Sequence, residues 1–325
     1  MNKVLKSADF RDKKKQIKKI FSFLGPGFLV TVGFIDPGNW ATNIEGGSRF
    51  GYQLLWVITL STLMLVLIQN MAAKLGIATG KSLAANIRSH FPKPVSFIFG
   101  ITIVIACVAT DVAELLGGAL GFNLLFGLPL WLGALLTVIL EVFFLVSQRY
   151  HRLEKFIVGF LGIIALCYVI ELFIVKPDWQ ALAPAVVVPE ISRGNIYIAM
   201  AILGAVVMPH NIFLHSNVIH SRNWGNTDEE KKKTLRFEKT DTISAMVLGW
   251  IINSAMIIVA AAVFSRNSVV VESIESASRT LVPLAGSLAG FLFAVALLFS
   301  GVGSSITSSM AEVNSVMDLL ASETT

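Results

Sequence analysis

Two short runs in this 325-residue chain combine cation-binding atoms with residues that break helices: Asp36-Pro37-Gly38-Asn39 and Met208-Pro209-His210-Asn211. Pro37 has no N–H, and its ring disfavours helical geometry at Asp36. Gly38 then opens backbone angles closed to other residues. A helix entering this stretch must unwind, leaving Asp36 to offer a carboxylate and Asn39 an amide oxygen. In the second run Pro209 cannot donate to the carbonyl four residues earlier, which belongs to Ala205, so that carbonyl is released from its helix. Met208 adds a thioether sulfur. Asp36, Asn39, the Ala205 carbonyl and Met208 are thus a candidate metal shell, with water completing it. Mg²⁺ and Ca²⁺ want all-oxygen shells. Softer divalent ions such as Fe²⁺, Mn²⁺, Co²⁺ and Cd²⁺ lose less from a thioether, or gain. The plainer reading of Met208 is a core- or lipid-facing side chain.

Other ionisable groups interrupt apolar runs. Asp111 and Glu114 are three residues apart, so they share a helix face and suit a proton relay. The alternative is a pair lining a polar helix contact. His210 follows the second break and suits proton carriage or gating, against a role as a satisfied interior histidine. Glu141 and Glu171 are lone acids for which the sequence offers no partner. His215 and His220 approach a helix end and read as water-facing. The run Gly301-Val302-Gly303-Ser304-Ser305 with Thr307, Ser308 and Ser309 reads as small residues for close helix packing. Cys107 and Cys167 fall in apolar runs and read as small buried residues rather than a disulfide framework.

The elements that must carry these groups follow from composition. Hydrophobic residues make up 54% of the chain and charged residues 14%, against about 25% charged in soluble domains. Mean hydropathy is +0.72. The apolar residues fall in blocks of about 20, enough to cross a hydrocarbon core of about 30 Å. Eight spans are expected, near 23–46, 52–73, 94–120, 129–147, 156–175, 195–219, 240–264 and 281–311. With the N-terminus inside, 21 of the 26 Lys and Arg fall in the N-terminal arm and the inner loops, as the positive-inside rule requires.

Three regions are expected: a basic cytoplasmic arm over 1–22, a transmembrane domain over 23–320, and a polar tail over 321–325. Lys13-Lys14-Lys15 with Lys18 and Lys19 suits an anionic inner leaflet, so the net charge of +5 needs no nucleic acid. The loop over 221–239 reads as solvated and charged, with room for a short helix. The loop over 176–194, with Pro177, Pro184 and Pro189, reads as extended. Broken spans at positions one and six, separated by four intact ones, match an inverted repeat. Such matched breaks point to a transporter's binding site.

Asp36-Pro37-Gly38-Asn39, with Gly204-Ala205-Val206-Val207-Met208-Pro209-His210-Asn211 and Leu214-His215-Ser216, resembles the Nramp family of proton-coupled divalent metal transporters. The resemblance runs from about Gly25 to about Leu320. It implies an all-α, LeuT-like inverted-repeat bundle and uptake of Mn²⁺ or Fe²⁺ coupled to H⁺ across the plasma membrane. It also implies Asp36, Asn39, Ala205 and Met208 as metal ligands, and Asp111 and Glu114 on the proton route. Metal and proton would be substrates, with no resident cofactor.

The family pattern has eleven or twelve spans, so the resemblance further implies a chain truncated after its eighth, with an incomplete second repeat. The cationic residues of the family's ninth helix and the tenth-helix groups that close the site are then missing. Gly301-Val302-Gly303-Ser304-Ser305 stands where Gly-Gln-Ser-Ser is usual, and Glu312 where a small residue is usual. A metal-binding but transport-incompetent fragment and an organic-solute symporter on the same fold are the competing functions. Asp36 argues against an anionic substrate group. A metal enzyme would need an arrangement such as His-Glu-x-x-His, which does not occur in the chain.

Overall fold

The computed structural model describes residues 25–147, 150–225 and 227–320. The expected arm over 1–22 and tail over 321–325 lie outside the described residues. Pro26–Val32 (α1) and Pro37–Phe50 (α2) are the two pieces of the first span. Leu55–Thr79 (α3), a short Leu83–His90 (α4), Lys93–Phe126 (α5), Leu130–Ser147 (α6) and Tyr150–Val175 (α7) follow. After a short Trp179–Ala185 (α8), the sixth span is Ile196–Val206 (α9) and Pro209–Val218 (α10). Asp228–Val263 (α11), Ile274–Ala285 (α12) and Ser287–Leu320 (α13) complete the described helices.

Seven helical stretches of the described residues are long and apolar enough to cross a membrane. The eighth crossing is the first span, whose pieces of 7 and 14 residues are each too short to qualify alone. The architecture is therefore the expected all-α bundle with breaks in spans one and six. Three loop expectations need correction. The charged stretch over 221–239 is mostly helix: Thr227 and Glu230 form a reciprocal capping box, and α11 runs unbroken from Asp228 into the apolar core. Trp179–Ala185 is helical, started by the Asp178 carboxylate accepting from the N–H groups of Gln180 and Ala181. The last span starts at Ser287 rather than near 281, because Leu281 belongs to the separate helix α12.

The interior is built on α11 and α13. α11 packs on α1, α2, α3 and α7, while α13 lies along α5 and touches α6 and α7. Large apolar side chains such as Leu67, Val146 and Phe173 are exposed on the outer helices, as expected of surfaces facing lipid. Trp40 is fully buried and packs on Tyr168 and Phe293, tying α2 to α7 and α13. At the end of the bundle bearing Gly25, the Asp241 carboxylate accepts from the N–H groups of Gly25 (3.0 Å) and Gly27 (2.7 Å). A carboxylate there also opposes the positive end of the α1 dipole.

Close approach at glycine brings the first break against α5. A Cβ on Gly117 would lie 2.0 Å from Cγ of Pro37, and one on Gly301 would lie 2.3 Å from the backbone N of Gly118. Neither obstacle is the far end of a flexible side chain, so the helices must separate to admit a methyl group. Gly117→Ala should cost about 1–3 kcal/mol, read as a lower melting temperature in detergent. Gly159→Ala, with no atom within 4 Å of the added Cβ, is the matched control. Equal melting temperatures for the two variants would refute the contact between Pro37 and α5.

Candidate metal site

The first break is a set of reassigned hydrogen bonds. Asp36 is extended (φ −73°, ψ 165°) and caps α2: its carboxylate accepts from the N–H groups of Gly38 (3.0 Å) and Asn39 (3.1 Å). In a continuous helix those two donors would serve the carbonyls of Phe34 and Ile35. The stranded carbonyls are satisfied from other spans. Asn253 of α11 donates to the Phe34 carbonyl at 2.9 Å, and the Ser300 hydroxyl of α13 donates to the Ile35 carbonyl. Unwound backbone at membrane depth requires such partners. Asn253 also accepts from the Asn43 amide at 2.8 Å, so one side chain braces both the break and the helix after it.

The second break faces the first. Met208 is extended (φ −84°, ψ 122°) and Pro209 starts α10. The amide of Asn39 donates to the Asp36 carboxylate at 2.6 Å and to the Ala205 carbonyl at 2.9 Å. One NH₂ group thus sits between two oxygen acceptors from different spans, where a cation would be electrostatically favoured. Asn39 Oδ1 is buried and has no hydrogen-bond partner among the described residues. Rotating the amide by half a turn would add that oxygen to the other two and withdraw the competing donor. Sδ of Met208 lies 3.6 Å from the Asn211 amide, and Asn211 occupies the space beside Gly33 that a Cβ there would fill. Asp36, Asn39 and Ala205 are therefore joined directly, and Met208 is linked through Asn211 to the facing break. Pro37, Gly38 and Pro209 stand at the breaks as the sequence suggests.

Glu114 is fully buried, and neither carboxylate oxygen has a hydrogen-bond partner among the described residues. It lies one turn before Gly117, the residue against Pro37. Asp111 Oδ1 and His210 Nε2 are likewise buried without a partner among the described residues. A line of polar groups therefore extends from the break along α5.

The expectation that Glu141 lacks a partner is corrected. Its two oxygens accept from the hydroxyls of Ser305 and Ser309 on α13. Those serines are one helical turn apart, so the small polar run also binds a carboxylate besides permitting close packing. Glu171 has no hydrogen-bond partner among the described residues. His215 does not face water: it is fully buried, with Nδ1 2.5 Å from Gln69 Oε1 and Nε2 2.9 Å from Glu238 Oε1. Gln69 Nε2 has no partner among the described residues, and turning the Gln69 amide by half a turn would let it donate to Nδ1. Sequence reasoning gave Asn211 no role of its own and missed Asn253, Ser300 and Gln69. The available signal was an amide or hydroxyl within an otherwise apolar span.

The sequence profile of the natural resistance-associated macrophage protein-like (Nramp) family matches residues 27–325. The chain belongs to the Nramp family. A divalent metal cation transporter, MntH, of Caldanaerobacter subterraneus subsp. tengcongensis is 44% identical over 299 residues, 91% of this chain and 71% of that protein. MntH of Mesorhizobium japonicum is 41% identical over 302 residues, 90% of this chain and 66% of that one. Among solved structures, the Eremococcus coleocola manganese transporter superposes with a TM-score of 0.85 at 32% identity, covering 95% of this chain and 67% of that one. The nucleobase-cation-symport-1 transporter Mhp1 shares the fold at a TM-score of 0.63 and 16% identity. The bundle is thus the LeuT-like one expected, and this Nramp chain spans roughly two thirds of the length of these relatives.

Proposed function

We propose that this Nramp chain carries the metal-binding step of proton-coupled import of divalent transition metals, Mn²⁺ or Fe²⁺ with Co²⁺ and Cd²⁺ accepted, by alternating access. The plasma membrane is its site, with the N-terminus cytoplasmic. The observation that carries this reading is the convergence of the two breaks. A carboxylate, an unpartnered amide oxygen and a released carbonyl meet there, with a thioether linked to them. The named activities of the MntH and manganese-transporter relatives support it. The ligands are Asp36, Asn39, Ala205 and Met208. Asp111, Glu114 and His210 carry or gate the proton, each having a buried polar atom without a hydrogen-bond partner among the described residues. The basic arm and inner loops face an anionic leaflet.

Proteoliposomes with an inward proton gradient test the coupled step. Mn²⁺ uptake should be accompanied by proton entry, reported by a trapped pH dye. Glu114→Gln, which keeps shape and removes the exchangeable acid, should lower proton entry per Mn²⁺ at least about tenfold, in the range of a lost positioned acid–base group. Mn²⁺ uptake with no proton entry overturns the coupling. Mn²⁺ binding without flux would restrict the 325 residues to the binding step. Titration with amino acids in place of Mn²⁺ would return heat only if the fold served organic solutes instead.

A further inference from the structure

The basic end of the bundle holds a cavity of about 960 Å³ where the turn after α3, the helix α4, the start of α5 and the end of α13 meet. Lys81, Arg88 and Lys93 line it, together with Ser89, Phe97 and Asp318. Among the described residues none of the three cations forms an ion pair. Asp318 accepts from the Ser82 hydroxyl and, at 3.5 Å, from the Asn217 amide, so it is engaged by the protein wall. Among the described residues the cavity lining keeps a positive excess.

The wall is held in shape. The Asn86 amide donates to Thr79 Oγ1 (3.0 Å) and to the carbonyls of Lys81 (3.1 Å) and Ser82 (2.9 Å). The Ser82 hydroxyl caps α4 by accepting from the Ala85 N–H. Phe97 belongs both to the cavity and to an exposed strip on α5. Phe97, Ile101 and Ile105 recur every four residues on one helix face, and all three are exposed. The strip runs about 12 Å from the cavity at 1.5 Å per residue. Cations at one end and an apolar track leading away match an anionic headgroup followed by an acyl chain.

We infer that this cavity is a binding site for one anionic glycerophospholipid, its phosphate held by Lys81, Arg88 and Lys93 and an acyl chain lying along Phe97, Ile101 and Ile105. The site uses none of the residues at the helix breaks. It rests on the proposed orientation only in that these cations face the anionic leaflet.

Native mass spectrometry of the chain reconstituted with equal phosphatidylglycerol and phosphatidylcholine tests it. Wild type should retain one phosphatidylglycerol in preference to phosphatidylcholine. Each neutralised cation removes a contribution of about 1 kcal/mol, so Arg88→Gln/Lys93→Gln should bind phosphatidylglycerol roughly 30-fold more weakly. Lys81→Gln, on the turn, should weaken it about fivefold and guards against a folding defect in the double variant. Arg152→Gln/Lys155→Gln removes two exposed cations elsewhere on the same end and should leave binding as in wild type. Thermal unfolding separates lipid from free anion: dioctanoyl phosphatidylglycerol should raise the melting temperature, and inorganic phosphate should not. The inference is overturned by equal retention of both lipids, by full binding in both cavity variants, or by protection from inorganic phosphate alone.

Discussion

Asp36→Asn should abolish Mn²⁺ binding at concentrations that saturate the wild type, with affinity falling by at least about 100-fold, while the unliganded protein should melt at nearly the wild-type temperature. Two roles of Asp36 have to be separated here. Its carboxylate caps α2 through the N–H groups of Gly38 and Asn39, and it is the charged member of the candidate metal shell. Asn is as good an N-cap as Asp, so Asp36→Asn keeps the helix start and removes only the charge. Losing one charged partner from a buried pair costs about 3–5 kcal/mol, hence the hundredfold or greater loss. Asp36→Ala loses the metal equally and also the cap, adding about 0.5–2 kcal/mol of destabilisation. Isothermal titration and thermal unfolding on the same preparations read the two effects independently. Wild-type Mn²⁺ affinity in Asp36→Asn would remove the break from the metal site altogether.

Met208→Leu should shift discrimination between soft and hard cations by at least about tenfold, a change of roughly 1.4 kcal/mol. Leu replaces Met at nearly constant volume, so packing at this buried position is preserved and only the sulfur is removed. A thioether contributes to binding of the soft ion Cd²⁺ and little to Ca²⁺. Competition by Ca²⁺ against Cd²⁺ should therefore strengthen in the variant, chiefly through weaker Cd²⁺ binding. Unchanged competition would return Met208 to the role of a core side chain and leave selectivity to the oxygen ligands.

The breaks can act as a site because of what braces them. Asn253 and Ser300 satisfy the two carbonyls that Asp36 strands by taking their donors. Gly117 lets the Pro37 ring rest on α5, which sets Glu114 one turn away. Metal shell and candidate proton group are thereby placed on elements that pack against one another, as coupling two ions requires.

The breaks and the spans were legible from residue types because each has a local cause. A proline removes its own N–H and releases a carbonyl four residues back. An apolar block long enough to span lipid has few soluble alternatives. The helical course of Asp228–Glu230 was obscured because a charged helical extension and a solvated loop share a composition. Only its capping box distinguishes them. Glu141 with Ser305 and Ser309, His215 with Gln69 and Glu238, and Asn253 with the Phe34 carbonyl join residues 23 to 219 positions apart. Hydropathy has no register for such pairs, since a polar residue inside an apolar span looks alike whether it binds substrate, a facing helix or a stranded carbonyl. Local chain chemistry determined where the helices must break, and helix-on-helix packing decided which buried polar groups found partners and which stay without one among the described residues.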